Sequence, residues 1–349
     1  MKQLAFINNR RFFHRLGKST TGCIAAAILL SGCQNDVAQP YNQQIPAWFP
    51  ELEIPADNQL TQERIDLGKR LFYEPLLSLD SSVSCATCHQ ISKAFTDGLT
   101  ISEGVDGVLG LRNAPTLANI GFSPTLFHDG GVDNLELQSQ QPIFSDMEMK
   151  FSIAGFLDRI EEDESYVQMF MKAYERAPDA FGISRAIAAF ERTIISGNSR
   201  FDQFYYEADE NVLSESEIRG MALFFSTENK CADCHQPPLF TNFEFENVGL
   251  YSAYPDSGRA RITHLSSDNG KFKVPTLRNI ELTAPYMHDG SMSSLQEVVN
   301  HFNEGGVGHI NQSSDVQPLS LSEQEKQDLV AFLASLTDEL FISNSDLMY

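Results

Sequence analysis

Apolar positions recur at helical intervals along most of the chain. Ile65, Leu67, Leu71 and Phe72 open such a pattern at about Leu60, and the stretch from Ile218 to Phe225 repeats it. The span 151–204 reads as helices, in which Ile183, Ile187, Phe190 and Ile194 make one apolar stripe fit for core packing. Ser294 with Glu297 predicts a capping box, followed by a helix whose Leu295, Val298, Val299 and Phe302 share a face. Ser322 with Glu325 predicts a second box and a closing helix, with Leu329, Val330, Phe332, Leu333 and Leu336 inward. Strand-like alternation is scarce. The pattern predicts a mainly α fold.

The pattern also repeats. Cys85-Ala86-Thr87-Cys88-His89 is matched by Cys231-Ala232-Asp233-Cys234-His235, each after one of the two helical stretches. Ala114-Pro115-Thr116-Leu117-Ala118-Asn119-Ile120 is echoed by Val274-Pro275-Thr276-Leu277-Arg278-Asn279-Ile280. His128-Asp129-Gly130 is echoed by His288-Asp289-Gly290, and Leu135 by Leu295, all at the same offset of 160 residues. A shared offset across separate motifs marks an internal duplication. The expected organisation is two cytochrome c-like halves, residues 60–205 and 206–349.

What precedes them is an address. Residues 1–32 carry Lys2, Arg10, Arg11, Arg15 and Lys18 and no acid, then a short apolar run from Cys23 to Leu30. The run is too short to cross a bilayer, which takes about 20 residues. A basic start, an apolar middle and a small-residue end make a secretory signal. Leu30-Ser31-Gly32-Cys33 resembles the bacterial lipobox, which implies cleavage before Cys33 and its lipidation. Residues 33–59, polar and rich in Pro and Gln, are expected as a tether. The expected location is the periplasmic side of a membrane, with a lipid anchor.

Composition narrows the partners. The 349 residues hold 25 basic and 47 acidic side chains, a net charge of −22. Removing residues 1–32 takes five basic side chains, leaving 20 against 47, or −27. Such a surface excludes nucleic-acid binding through basic residues and favours a basic protein partner. Six cysteines are too few for a disulfide scaffold of this length.

The two CxxCH motifs carry the chemistry. In this pentapeptide both thiols add to haem vinyl groups, and the histidine is placed to ligate the iron. The alternatives are a shared four-cysteine zinc site, which would leave both trailing histidines without a role, and disulfides between near neighbours. The sequence thus predicts a dihaem c-type cytochrome, with haem c on Cys85, Cys88 and His89 and on Cys231, Cys234 and His235. No histidine or methionine occurs in residues 90–127, so the first iron has no nearby distal ligand. An open iron can bind a small oxidant, whereas a capped one mainly transfers electrons. By the repeat, distal residues come from the region after His128-Asp129-Gly130. There Gln138 and Glu148 are candidates to orient peroxide and move its proton.

These motifs, with Asn113-Ala114-Pro115-Thr116 and the run from Ala284-Pro285-Tyr286-Met287 to Gly290, resemble the bacterial dihaem cytochrome c peroxidase family, which includes MauG. The resemblance covers roughly residues 60–338. It places the family's distal glutamine, proline and glutamate on Gln138, Pro142 and Glu148, making Glu148 the leading catalytic residue. It also implies a calcium site from Asn113, Thr283 and Pro285, oxygen donors that suit a hard cation. Three departures stand out. Where many relatives carry a distal histidine this chain has Val105, which implies no reductive activation. Where many carry a tryptophan between the haems it has His128, either an electron relay or a structural residue bonded within its turn. Where the second haem takes a distal methionine or tyrosine it has Phe302, next to His301. His301 is the candidate ligand there, with Met292 and an open or other arrangement as the alternatives. His264 and His309 read as surface.

The resemblance implies reduction of hydrogen peroxide with electrons from a small donor such as a cytochrome c. A MauG-like oxidase that modifies a partner's tryptophan or tyrosine is the alternative, and a plain electron-transfer cytochrome a second.

Overall fold

The computed structural model describes residues 38–349, so the signal segment and Cys33 lie outside the described residues. In chain order the helices are α1 (Gln62–Phe72), α2 (Cys85–Cys88), α3 (Leu135–Gln138), α4 (Gln141–Phe144), α5 (Ile153–Ile160), α6 (Glu164–Tyr174) and α7 (Ala180–Glu191). There follow α8 (Arg200–Tyr205), α9 (Glu215–Phe224), α10 (Cys231–Cys234), α11 (Ala260–Thr263), α12 (Leu295–Glu304), α13 (Glu323–Ala334) and α14 (Glu339–Ile342). Among the described residues the sheet is one antiparallel pair, β1 (Phe245–Glu246) with β2 (Phe272–Lys273). The fold is mainly α, as expected.

Each half is built on one helix crossing, α1 with α7 and α9 with α13. The crossings are so close that only glycine fits. A Cβ on Gly68 would stand 1.8 Å from the Ala186 carbonyl oxygen, and one on Gly220 would stand 1.9 Å from that of Asp328. Behind each crossing sits a matching aromatic core. Phe72 meets Phe190 at 5.2 Å between ring centres, and Phe224 meets Phe332 at 5.0 Å. The stripe Ile183, Ile187, Phe190 and Ile194 is fully buried, as expected of core. By this geometry α7 is the counterpart of α13, the closing helix of the N-terminal half.

The repeated Pro-Thr-Leu-x-Asn loop is what ties each closing helix back to the loop just after its CxxCH motif. Thr116 donates its hydroxyl to the Ala94 carbonyl at 2.6 Å, and Thr276 does the same to Leu239 at 2.7 Å. Asn119 and Asn279 both hold φ near +60°, a conformation asparagine tolerates. Asn119 donates its backbone N–H to Ile194 and accepts from the Ser196 N–H, just past α7. Asn279 makes the same two bonds with Leu336 and Asp338, just past α13.

The halves meet across a pseudo-two-fold seam. Lys273 donates its backbone N–H to the His128 carbonyl at 2.7 Å, and Asn113 donates to the His288 carbonyl at 2.9 Å. Both members of each bond are related to those of the other by 160 residues, so each half offers the same patch to its counterpart, as in an isologous dimer. The buried Lys273 ammonium crosses the seam to the Ser123 hydroxyl and the Thr125 carbonyl, at 2.8 and 2.6 Å.

Three placements differ from the sequence reading. Residues 38–59 are not a free tether. Trp48 stacks on Tyr206, Phe49 packs against Phe122 and under the Arg278 guanidinium, and Asn58 is fully buried. Polar composition hid the aromatic residues that pin this segment across both halves. The chain end, expected with the C-terminal half, packs on the N-terminal core. Phe341 lies 5.7 Å from Phe95, and Tyr73 donates to the Leu347 carbonyl. At α12 only half of the capping box forms. Ser294 accepts from the Glu297 N–H, but the Glu297 carboxylate turns to Ser293. The box at Ser322 and Glu325 is complete.

Candidate functional site

Each CxxC folds as a single helical turn, α2 or α10, which puts both thiols on one side and the histidine at its C-cap. The histidines are then aimed by the chain just beyond. The Nδ1–H of His89 donates to the Phe95 carbonyl at 2.9 Å, and that of His235 donates to the Phe240 carbonyl at 3.1 Å. Phe95 and Phe240 both sit at positive φ, which turns their carbonyls toward the rings. With the proton fixed on Nδ1, Nε2 is left as a lone pair suited to a metal. Burial holds both imidazoles neutral, lowering His235 to about 4. All four thiols are free, and burial raises their pKa values, to about 11 for Cys88, Cys231 and Cys234. Among the described residues no group of three or more His, Cys, Asp or Glu could hold a metal ion, so the two CxxC pairs do not form one zinc site.

Cys231, Cys234 and His235 stand on the wall of a cavity of about 360 Å³, otherwise lined mainly by apolar side chains. This is a wall that fits a haem: two thiols and an oriented imidazole lone pair against an apolar chamber. From α12 the lining takes Leu295, Val298, Val299 and Phe302, the face expected from the sequence. His301 is not on that face. Its Nε2–H donates to the Val248 carbonyl at 2.9 Å, so the ring nitrogen expected to ligate is engaged elsewhere. Met292 is likewise absent from the lining, packed in the C-terminal core instead.

Around the first CxxCH, Val105 is buried in the core with Leu67, Leu71, Ile143 and Met149. Its N–H donates to the Glu148 carbonyl at 2.8 Å, and a Cβ on Gly104 would strike the Met147 and Glu148 carbonyls. The Gly104–Val105 backbone therefore fixes Glu148. The Glu148 charge is felt at both Cys85 and Cys88, which puts its carboxylate near the first CxxC pair. Glu148 is exposed in surface area, yet burial raises its carboxyl above the ordinary range, against a hydrogen bond from Ser145 that lowers it. Both hold for a carboxyl facing a concave recess rather than bulk solvent. Gln138 ends α3, half-buried, and its amide makes no hydrogen bond among the described residues. Pro142 lies in the first turn of α4, where its missing N–H costs nothing, and its carbonyl accepts from the Met149 N–H next to Glu148.

His128 is buried at the seam and lines the same cavity as His235. Its Nε2–H donates to the Asn113 carbonyl at 2.9 Å, not within its own turn, and burial lowers it to about 4. Asn113, Thr283 and Pro285 also line this cavity. The Asn113 amide N–H is spent on the Leu99 carbonyl, leaving Oδ1 without a protein donor among the described residues. His264 is exposed as expected, but His309 is not loose surface, since its Nδ1 bonds to Asn247 and its ring lies 5.2 Å from Tyr254.

With this geometry in hand, the likenesses to known proteins become specific. The sequence model of the di-haem cytochrome c peroxidase family matches residues 62–211. Methylamine utilization protein MauG of Methylorubrum extorquens is 37% identical, over 82% of this chain and 81% of that protein. Cytochrome c551 peroxidase of Nitrosomonas europaea is 34% identical, over 78% and 80% respectively. The crystal structure of a MauG-like protein associated with microbial copper homeostasis is 36% identical, with a TM-score of 0.83, covering 88% of this chain and 98% of that one.

Proposed function

The chain belongs to the di-haem cytochrome c peroxidase family, a peroxide-dependent oxidoreductase group with two c-type haems, and on that premise we propose that it reduces hydrogen peroxide with electrons from a small donor protein. The observation that carries this reading is the pairing of Val105 with Glu148: an aliphatic side chain where a capping histidine would stand, and beside it a carboxyl of raised pKa. When bound, the haems supply the redox chemistry that delivers electrons to peroxide. The rest falls to this chain's own residues. Cys85, Cys88 and His89 hold the peroxide-reducing site, and Cys231, Cys234 and His235 the site where electrons enter. Glu148 takes the proton from the attacking oxygen of peroxide and returns it to the departing one, the acid–base task of O–O cleavage. Gln138 orients peroxide through its free amide, and Pro142 holds the loop that presents Glu148. His128, neutral and at the seam, lines the cavity of the second site and would relay electrons from it toward the first.

Asn113 Oδ1 with the Thr283 and Pro285 carbonyls would bind one calcium ion across the seam, where three hard oxygens suit it. The leader and Cys33 support export to the periplasmic side with a lipid anchor. Among the described residues no helix is long and apolar enough to cross a membrane. The donor is a basic protein, drawn by the −27 charge of the processed chain, and its association should slow steeply as salt screens the surface. A donor rate that is flat in salt would reject that partner.

One observation favours a second reading. Phe302 faces the Cys231–His235 cavity at the position where the family's methionine or tyrosine ligand is expected, so no methionine stands there. A MauG-like oxidase, storing oxidising equivalents for a partner's tryptophan or tyrosine, would fit that face. Peroxide turnover with reduced cytochrome c, set against peroxide titration with no donor, separates the two. Rapid donor oxidation supports the peroxidase. A long-lived oxidised state with no turnover supports the oxidase.

A further inference from the structure

The two His-Asp-Gly turns occupy equivalent places, yet their aspartates keep different company. Asp129 is fully buried and clamped by guanidinium groups, Arg112 and Arg261 both at 2.7 Å, as a structural anchor should be. Asp289 has a phenol instead: the Tyr251 hydroxyl donates to its Oδ2 at 2.5 Å. Tyr251 is half-buried and reaches solvent. Its ring meets that of Tyr254 edge-on at 5.6 Å, and Tyr254 lines the cavity that carries Cys231, Cys234 and His235. Two further rings of that wall, Phe272 and His288, lie 6.2 and 6.3 Å from Tyr254. A continuous line of two oxidisable side chains thus runs from the chamber to the surface.

We propose that Tyr254 and Tyr251 form a redox relay that carries oxidising equivalents from the C-terminal haem cavity to the protein surface, with Tyr251 the site where they come to rest. The hydrogen bonds distinguish the two. The Tyr254 hydroxyl donates to the Asn247 amide oxygen at 3.0 Å and accepts from the Leu250 N–H, so it has no base to take its proton. Tyr251 has the Asp289 carboxylate. Reduction of peroxide to two waters leaves the protein two electrons short. Tyr251 loses one electron inward by way of Tyr254 and passes its phenolic proton to Asp289, giving a neutral tyrosyl radical. One electron from a reductant at the surface refills it and Asp289 returns the proton, and a second passage of the same relay makes good the other electron. This rests on the peroxide chemistry of the family and not on which reductant is served.

The test uses the haem-loaded protein mixed with hydrogen peroxide without a donor and freeze-quenched for electron paramagnetic resonance. The expected result is an organic radical whose signal narrows when tyrosine is ring-deuterated and is lost in Tyr251→Phe. Tyr254→Phe, which leaves Tyr251 and Asp289 in place, should lose it too. The optical haem spectrum reports loading and fold in each variant. A signal that persists in either variant, or ignores the isotope, overturns the relay. If peroxide leaves the haem spectrum of the unaltered protein unchanged, the peroxide-dependent reading itself fails, a separate outcome.

Discussion

Substituting Glu148 by Gln tests the chemistry most directly, because it keeps the size and the Ser145 contact while removing the base. Loss of a positioned acid–base group costs about 10²–10⁴ in rate, or roughly 3–5 kcal/mol of activation free energy. The structure argues for the upper half of that range, because the other carboxylates that act on Cys85 and Cys88 are poor substitutes. Of these, Asp97 is occupied by the Leu99 N–H and the Ser102 hydroxyl. Glu191 is buried, and its pKa is raised to about 8, so it is protonated at neutral pH and is no base. Burial also sets the pH profile. With the Glu148 carboxyl raised above the ordinary glutamate range, the base form is lost as pH falls through that raised value, so the acidic limb of kcat/KM should lie above an ordinary glutamate's. In Glu148→Gln that limb should vanish. The assay is peroxide-dependent oxidation of reduced cytochrome c across pH, with haem spectra as the control. Near-normal turnover with unchanged spectra would refute the assignment.

The remaining predictions are structural. Gly220→Ala gains about 1 kcal/mol of helix propensity but puts a Cβ 1.9 Å from a backbone oxygen that cannot step aside. Overpacking costs about 1–3 kcal/mol or more, so Tm should fall, and a Tm at or above that of the unaltered protein would contradict the crossing. Glu191, with a folded pKa near 8, opposes folding as pH rises above its unfolded value, because the unfolded chain gives up a proton that the folded one keeps. Glu191→Gln should therefore stabilise the protein at pH 7, by an amount on the order of 3 kcal/mol, and do little near pH 4, a difference that urea titration at the two pH values would detect. His301→Ala should leave the spin state of the second haem unchanged, whereas Phe302→Met should add a low-spin component in electron paramagnetic resonance. A spin change in His301→Ala alone would return the ligand to His301.

Much of the fold was legible because its motifs are local contracts. CxxCH sets two thiols and an imidazole at fixed spacing, and each copy folds as one helical turn with its histidine at the C-cap. The apolar face of α12 followed from its period, but not which side chain on its flank would turn inward. His301 is claimed by the Val248 carbonyl, some fifty residues away in sequence, and no periodicity reports such a partner. The same holds for the crossings of α1 with α7 and of α9 with α13, although a signal was present: Gly68 and Gly220 each sit inside a helical pattern, where glycine is costly unless something must come close. The segment 38–59 misled through composition, since Trp48 and Phe49 outweigh its polar residues once they are buried.

The duplication itself explains where the function must lie. Glycine crossings, paired phenylalanines, Asn119 and Asn279, and the two seam bonds are the same in both halves, so they cannot make the halves differ. What differs is small: Glu148 over a recess in one half, the wholly apolar Leu295, Val298, Val299 and Phe302 in the other, and arginines against Asp129 where Tyr251 meets Asp289. A symmetric scaffold supplies two equivalent haem mounts. Each of these differences breaks the symmetry at one point: a carboxyl near the first CxxCH, a non-ligating apolar face at the second, and a phenol in place of guanidinium groups at the second His-Asp-Gly turn. Exchanging Phe302 or Tyr251 should therefore alter the second site's redox behaviour and leave the Glu148-dependent pH limb in place, because among the described residues neither is seen to contact Glu148 or the first CxxCH.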